Sequence, residues 1–417
     1  MKPGKKSYSS TGIWVICYNF LPHLRYLPEN IYLVGVIAGP HKPDTHHINP
    51  YIQLLVDEFK PFWSLGVLFT CTRRCHSGRT MKGLLVPLIC DMLGARQVTG
   101  LPGTVNAHYF CTTCDLDVDD IDNLDMKEWV MRDAQHVRRI ADLWKSARST
   151  DDRTAIFDAF GLCWTPLLEL PYWDPVKFVV IDTMHALDIN LLKHHLRNLF
   201  RLSLKTKQGG DGWSAAVKVV KHHNVKPALL NHQCQRHHRR IILGADVMQE
   251  IWSDMHNTQL PSWVSSISRE WSTTSELSAD QTHVLCTIHL PITLIRLWHS
   301  AGKRMQSLLE NFMDLVNAVR VANMRTTSPG DVKTYNTYMH RYMVGVKSLY
   351  EDKGIKPHQH AALHVGTMLE WFGPVHAHSA PYYERYINFM HCTQINQKPS
   401  KTSRSRIRLS VMLMVWT

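Results

Sequence analysis

Residues 81–114 read MKGLLVPLICDMLGARQVTGLPGTVNAHYFCTTC. The apolar run Leu84–Cys90 has strand length and stops at a lone acid, Asp91. It predicts a buried strand with a carboxylate at its carboxyl end, where open α/β sheets bind their ligands. Pro87 lies inside the run and has no N–H to give to a ladder, which counts against a regular central strand. Gly94, Gly100, Pro102 and Gly103 mark a turn-rich passage that leads to Cys111-x-x-Cys114. Such a pair supplies half of a tetrahedral zinc site and needs two more ligands from elsewhere. The plain alternative is two buried thiols.

Upstream, Gly12–Tyr18 and Asn30–Ile37 read as strands joined by a Pro-containing link. Residues 49–63 carry Ile52, Leu55, Phe59 and Trp63 at helical spacing, and Val67–Thr70 is a short β-like piece. The order strand, strand, helix, short strand, strand predicts an α/β core. Past Cys114 the character changes. DLDVDDIDNLDM is an acidic, solvated stretch, residues 127–160 look helical, and the apolar run at 178–181 leads into an amphipathic helix reaching Leu202. Residues 205–324 are mostly helical by pattern and rich in His, Arg and Trp. No internal repeat or long low-complexity linker interrupts them.

The chain has 417 residues, 44% of them hydrophobic, and a net charge of +12, which favours a polyanionic partner and nucleic acid first. No run is long and apolar enough to span a membrane, and MKPGKKSYSS lacks a signal-peptide core. Ten cysteines without a secreted-scaffold spacing predict a reducing compartment.

The missing half of the zinc site has a candidate far downstream. His360 and His364 stand four residues apart, so on a helix both imidazoles leave one face. No Glu follows His360, so this is not a metalloprotease HExxH motif. With Cys111 and Cys114 the pair would form a closed Cys2His2 site, with His358 as the competing ligand; a surface coincidence is the alternative. Pro381 opens a helix with Glu384 in its first turn, an ordinary place for an acid. Asp182, three residues before His185, ends the second apolar run and reads equally as a strand-end acid, a turn residue or a helix N-cap; Asp280 is a further acid. Arg236, Arg239 and Arg240, with His222, His223, His232, His237 and His238, make a basic cluster suited to phosphates or to a solvated helix face. The tail KTSRSRIRLS is basic and is expected to be disordered, and its apolar ending VMLMVWT is unlike it.

Five blocks in order, YLPENIYLVGVIAGPHKP, LLVPLICDMLGARQVTGLPG…FCTTC, LPYWDPVKFVVIDTMHALDINLLKHHLRNLF, LCTIHLPITLIRLW and FGPVHAHSAPYYERYINFMH, resemble the transposase of CACTA (En/Spm) elements, in the versions abundant in fungal genomes. The likeness runs from Gly12 to Lys398. It implies a DDE nuclease with an RNase H-like core, acting on transposon ends and target DNA in the nucleus, possibly as a homo-oligomer. By that pattern Asp91 is the second catalytic acid and Glu384 the final one, with Asp280 as runner-up. Cys111, Cys114, His360 and His364 form a structural zinc link between the core and a large helical insertion. Twenty residues separate Asp91 from Cys111 and again His364 from Glu384, a short reach on each side of the zinc. In this chemistry two Mg²⁺ ions, held by three carboxylates, activate the attacking oxygen and stabilise the leaving one.

One departure matters most. Family members carry the first acid on a strand upstream of the segment matching Thr11–Ile13, and MKPGKKSYSS contains no Asp or Glu. The first strand and first acid are therefore expected to be missing, two inner sheet edges to be exposed, and two-metal catalysis to be lost. The expected organisation is a basic start (1–11), a partial RNase H-like core (12–114), a helical insertion (115–350), a zinc-histidine helix with the final catalytic helix (351–398) and a disordered tail (399–417). The competing readings are a non-catalytic, zinc-stabilised DNA-binding protein derived from a transposase and, more remotely, a zinc hydrolase.

Overall fold

Thr11–Cys17 (β1) is buried over its five central residues, so both of its faces must be covered. The computed structural model describes residues 11–37, 46–102, 107–202, 242–267, 277–350, 354–385 and 409–416. Arg236, Arg239 and Arg240, with the histidines around them, lie outside these residues. The chain divides into two compact units, one of residues 1–185, 322–333 and 354–417, the other of residues 186–321 and 334–353.

The first unit is α/β. β1 pairs antiparallel with Ile31–Ile37 (β2). A helix, Asn49–Ser64 (α1), then buries Ile52, Leu55, Val56 and Phe59. Val67–Phe69 (β3) pairs antiparallel with the start of Arg79–Cys90 (β4). β4 is exposed at its beginning and buried from Leu85 to its end, as the apolar run predicts. Pro87 is accommodated because the pairing shifts register between Leu85 and Leu88, so its missing N–H falls where the ladder is already interrupted. Asp91 caps the next helix, Met92–Thr99 (α2), which stops at Gly100 with φ +79°. A side chain at Gly100 would place its Cβ 2.2 Å from the Cys163 carbonyl oxygen.

Two features depart from the sequence reading. The stretch 115–185 stays in the first unit, and the second unit begins at Ala186. The reason is apolar: Ala141 of the helix Ala134–Ser146 (α3), together with Leu167, Leu168, Leu170 and Trp173, packs into the same core as α1 and β4. Val179–Ile181 (β5) then pairs parallel with the end of β4.

The second departure is in the tail. Leu409–Trp416 (β6) is a strand, not disordered, and it lies between β1 and β4, parallel to the first and antiparallel to the second. The two inner edges that were expected to be bare are therefore paired. An eight-residue apolar segment with β-branched members satisfies such edges readily, because each unpaired edge is a row of unmet donors and acceptors.

The second unit is helical where described. It contains Ala245–Asn257, Ala279–Val284 and Leu290–Trp298, most of Lys303–Ala322 and most of Pro329–Leu349. His195 is buried there, its Nδ1 3.1 Å from the Tyr342 hydroxyl, and burial pushes it down to a pKa of about 3. No helix is long and apolar enough to cross a membrane.

Candidate functional site

The Cys111–Cys114 turn is shaped by two buried arginines. Arg96 of α2 donates to the Phe110 carbonyl, and Arg132 Nε donates to the Cys111 carbonyl at 2.9 Å. Arg132 is held in turn by Asp115, with Nη1 and Oδ1 2.8 Å apart. Cys111 Sγ accepts from the backbone N–H of Thr113 at 3.3 Å and of Cys114 at 3.5 Å, so the turn supports a thiolate.

His360 lies on the short helix Pro357–Leu363 and His364 caps it, so four-residue spacing aims both rings at the cysteine turn. Cys111, Cys114, His360 and His364 are all buried and their ligand atoms lie within 4.8 Å of one another. His360 Nε2 is 3.2 Å from Cys114 Sγ and 3.1 Å from His364 Nε2. Phe110 and Trp129 wall the rings, with centroids 4.8 and 4.5 Å from that of His360. His358, the competing ligand, is not one of the four.

The donor set fits a metal. Ligands placed about 2.0–2.3 Å from a common centre stand roughly 3.3–3.8 Å apart in a tetrahedron. Two imidazole nitrogens facing each other in an apolar pocket otherwise leave at least one lone pair poorly met. Burial opposes ionisation of Cys111, yet the Cys114 thiol and the two imidazoles outweigh it and hold Cys111 well below an ordinary thiol. Hydrogen bonding to Cys111, together with burial, pushes Cys114 the other way. The group can hold a metal and, being closed and buried, leaves little room for water.

The second constellation forms where β4 and β5 end. Cys90 and Ile181 are register partners in this parallel pair, so Asp91 and Asp182 leave the sheet side by side. Burial first, then these two acids, push the Cys90 thiol well up. Asp91 Oδ1 accepts from Gly94 N at 2.7 Å at the start of α2.

Asp182 is buried and accepts from four donors. Oδ1 takes Ala380 N at 2.7 Å and Ser379 Oγ at 3.1 Å; Oδ2 takes His185 N at 3.0 Å and also the His185 ring. Nε2 of the same ring faces Glu384 Oε1 at 3.3 Å. Burial alone would lower the imidazole, but the bonds to Asp182 and Glu384 outweigh it and push His185 up to about 10. Burial would raise Asp182, and the His185 bond leads the contacts that hold it below the usual carboxylate range instead. The result is an imidazolium between two carboxylates.

Aromatic contacts position Glu384. The Tyr18 and Tyr26 hydroxyls both donate to the Ala377 carbonyl, at 2.8 and 2.7 Å, and Tyr26 stacks on Tyr382 at 3.8 Å. The residues from Ala377 to Glu384 are thus fastened to the end of β1 and the link after it.

Of the expected residues, the four metal-ligand candidates converge, and Asp91 and Glu384 lie at the same edge as Asp182. Asp280 belongs to the second unit, in the first helical turn after the Ser278 N-cap. Sequence reading assigned no role to His185 and left Asp182 as strand end, turn or N-cap. The i, i+3 spacing of acid and imidazole after an apolar run was the one available signal. Among known proteins, no family model matches the chain and no curated protein does.

Proposed function

We infer that the chain is a transposase-type core of the CACTA kind, RNase H-like in its sheet, that engages DNA and, with its carboxylates placed as here, does not cut it. The observation that carries this reading is the Asp182–His185–Glu384 contact at the edge where Asp91 emerges. Acids gathered at the carboxyl ends of parallel strands are what metal-dependent phosphoryl transfer requires. Magnesium does not fit the cluster as arranged. A hard divalent ion needs several free oxygens, whereas four donors occupy Asp182, a helix N–H occupies Asp91 Oδ1 and an imidazolium faces Glu384.

The Cys2His2 group suits structural zinc, which contributes folding energy and leaves no position for a reacting water. That argues against the zinc-hydrolase reading. The net charge of +12 supports a nucleic-acid partner, and with it a nuclear site of action. One observation favours strand cleavage as a second reading: the Glu384 side chain is 43% exposed and can turn from His185 toward solvent.

The test is binding and nicking of a labelled transposon-end duplex by the full chain in magnesium. Retention of the duplex without magnesium-dependent nicks is expected. Nicking abolished by Asp91→Asn or Glu384→Gln would establish cleavage instead, and failure to retain the duplex would sink the DNA reading.

A further inference from the structure

A cavity of about 770 Å³ opens in the second unit, between residues 255–267 and the start of the helix Ala279–Val284. Its walls carry hydroxyls from Ser262, Ser265 and Ser278, the amide of Gln281 and the imidazole of His289. Among the described residues that line it there is no Lys, Arg, Asp or Glu. The ligand it suits is therefore polar and neutral where it enters the cavity.

Two side chains give that ligand a shape. Trp263 lines the cavity yet is 85% exposed, an uncommon position for the largest apolar side chain. It is not on a loose loop: Val264 N donates to the Pro261 carbonyl at 3.0 Å, and Gln281 Nε2 ties the Ser266 carbonyl to the neighbouring helix at 3.2 Å. An indole fixed in this way presents a flat face to solvent. His289, 4% exposed, has a buried Nδ1 without a hydrogen-bond partner, and burial lowers its pKa, so it stays neutral at physiological pH. An unmet polar atom in the wall of a cavity awaits a donor or acceptor from a ligand.

An aromatic face beside neutral donors and acceptors, with no charge, is the chemistry that receives a nucleobase: stacking on the flat face and hydrogen bonds to the base edge. Sugars share part of this chemistry, but a chain of net charge +12 draws polyanions, and nucleic acid brings its bases with it. We propose that this cavity is a subsite for one unpaired nucleobase, stacked on Trp263 and read by His289 and the serine hydroxyls. The proposal rests on the DNA reading above and adds to it a preference for duplexes that carry an extruded base.

The experiment compares the full chain on two duplexes of one sequence, one fully paired and one with a single unpaired 2-aminopurine. The unpaired probe is expected to bind ~10-fold tighter, within the range that stacking one base supplies, with its fluorescence quenched. Trp263→Ala, at an exposed position, should erase that advantage and leave the paired duplex unchanged, and Trp263→Phe should restore most of it. Equal affinity for the two duplexes, or an advantage untouched by Trp263→Ala, overturns the subsite while leaving the DNA reading intact. Binding of neither duplex overturns both.

Discussion

His185 stands 3.3 Å from Glu384 through one ring nitrogen and is engaged by Asp182 through the other. The ring thereby joins a strand-end acid to an acid of the 381–385 helical turn, and both contacts favour its charged form. Removing one partner of a buried, bonded charge leaves the other unmet. Asp182→Asn should therefore destabilise the first unit by about 3 kcal/mol in urea unfolding. A change under about 0.5 kcal/mol would show that the backbone N–H bonds alone hold the 379–385 segment.

The same contact sets a pH dependence. His185 is raised from 6.5 to about 10, so its contribution is whole below about pH 6.5 and is lost as pH rises through about 10. Asp182 is lowered from 3.8, so its contribution is whole above about that value and is lost as pH falls through its depressed folded one. The stability difference between the natural chain and His185→Gln should be largest near pH 5 and smallest near pH 10. Unfolding curves at pH 5, 7.5 and 10 check this, and a constant difference would refute it.

One zinc per chain should copurify, and Cys114→Ser should abolish it. Arg132→Ala, which removes only the donor to the Cys111 carbonyl, should weaken zinc about 10–100-fold in competition with a chelator. Zinc affinity unchanged in Arg132→Ala would mean that the turn is rigid without it.

Gly100→Ala should destabilise by about 2 kcal/mol or more, since it sets a Cβ against the Cys163 carbonyl at a left-handed position. Gly35→Ala, with nothing within 4 Å of the new atom, is the control. Similar unfolding midpoints for the two variants would contradict the α2 cap geometry.

Val411 is register partner to Val15 on one side and Leu88 on the other. Val411→Pro removes a ladder donor from the middle of the sheet and should cost about 3 kcal/mol. It should also speed hydrogen exchange at β1 and β4 amides. Exchange confined to β6 would show that β1 and β4 hold without it.

Much of the first unit was legible because its signals are local. The run ending at Asp91 carries its own punctuation, and CxxC with a histidine pair is a spacing that few other structures require. Asp182 and His185 were not legible because an acid three residues before a histidine at a helix start looks like any N-cap. The partners that distinguish it, Ser379 and Ala380, lie 197 and 198 residues away. The first unit's extent to His185 depends on Leu170 and Trp173 finding α1 and β4, which no window of sequence displays. β6 hid for a related reason: eight apolar residues after a basic stretch do not announce which edges they will pair.

The position of β6 also bears on how the protein comes into being. Ile13, among the first residues made, takes Leu409, among the last, as its neighbour in the sheet. A nascent chain leaving the ribosome carries β1 and β4 with facing edges open for almost the whole of translation. Closure so late and over so long a loop is slow. Through that interval the emerging polypeptide depends on chaperones to keep another copy's strand from taking the place reserved for its own.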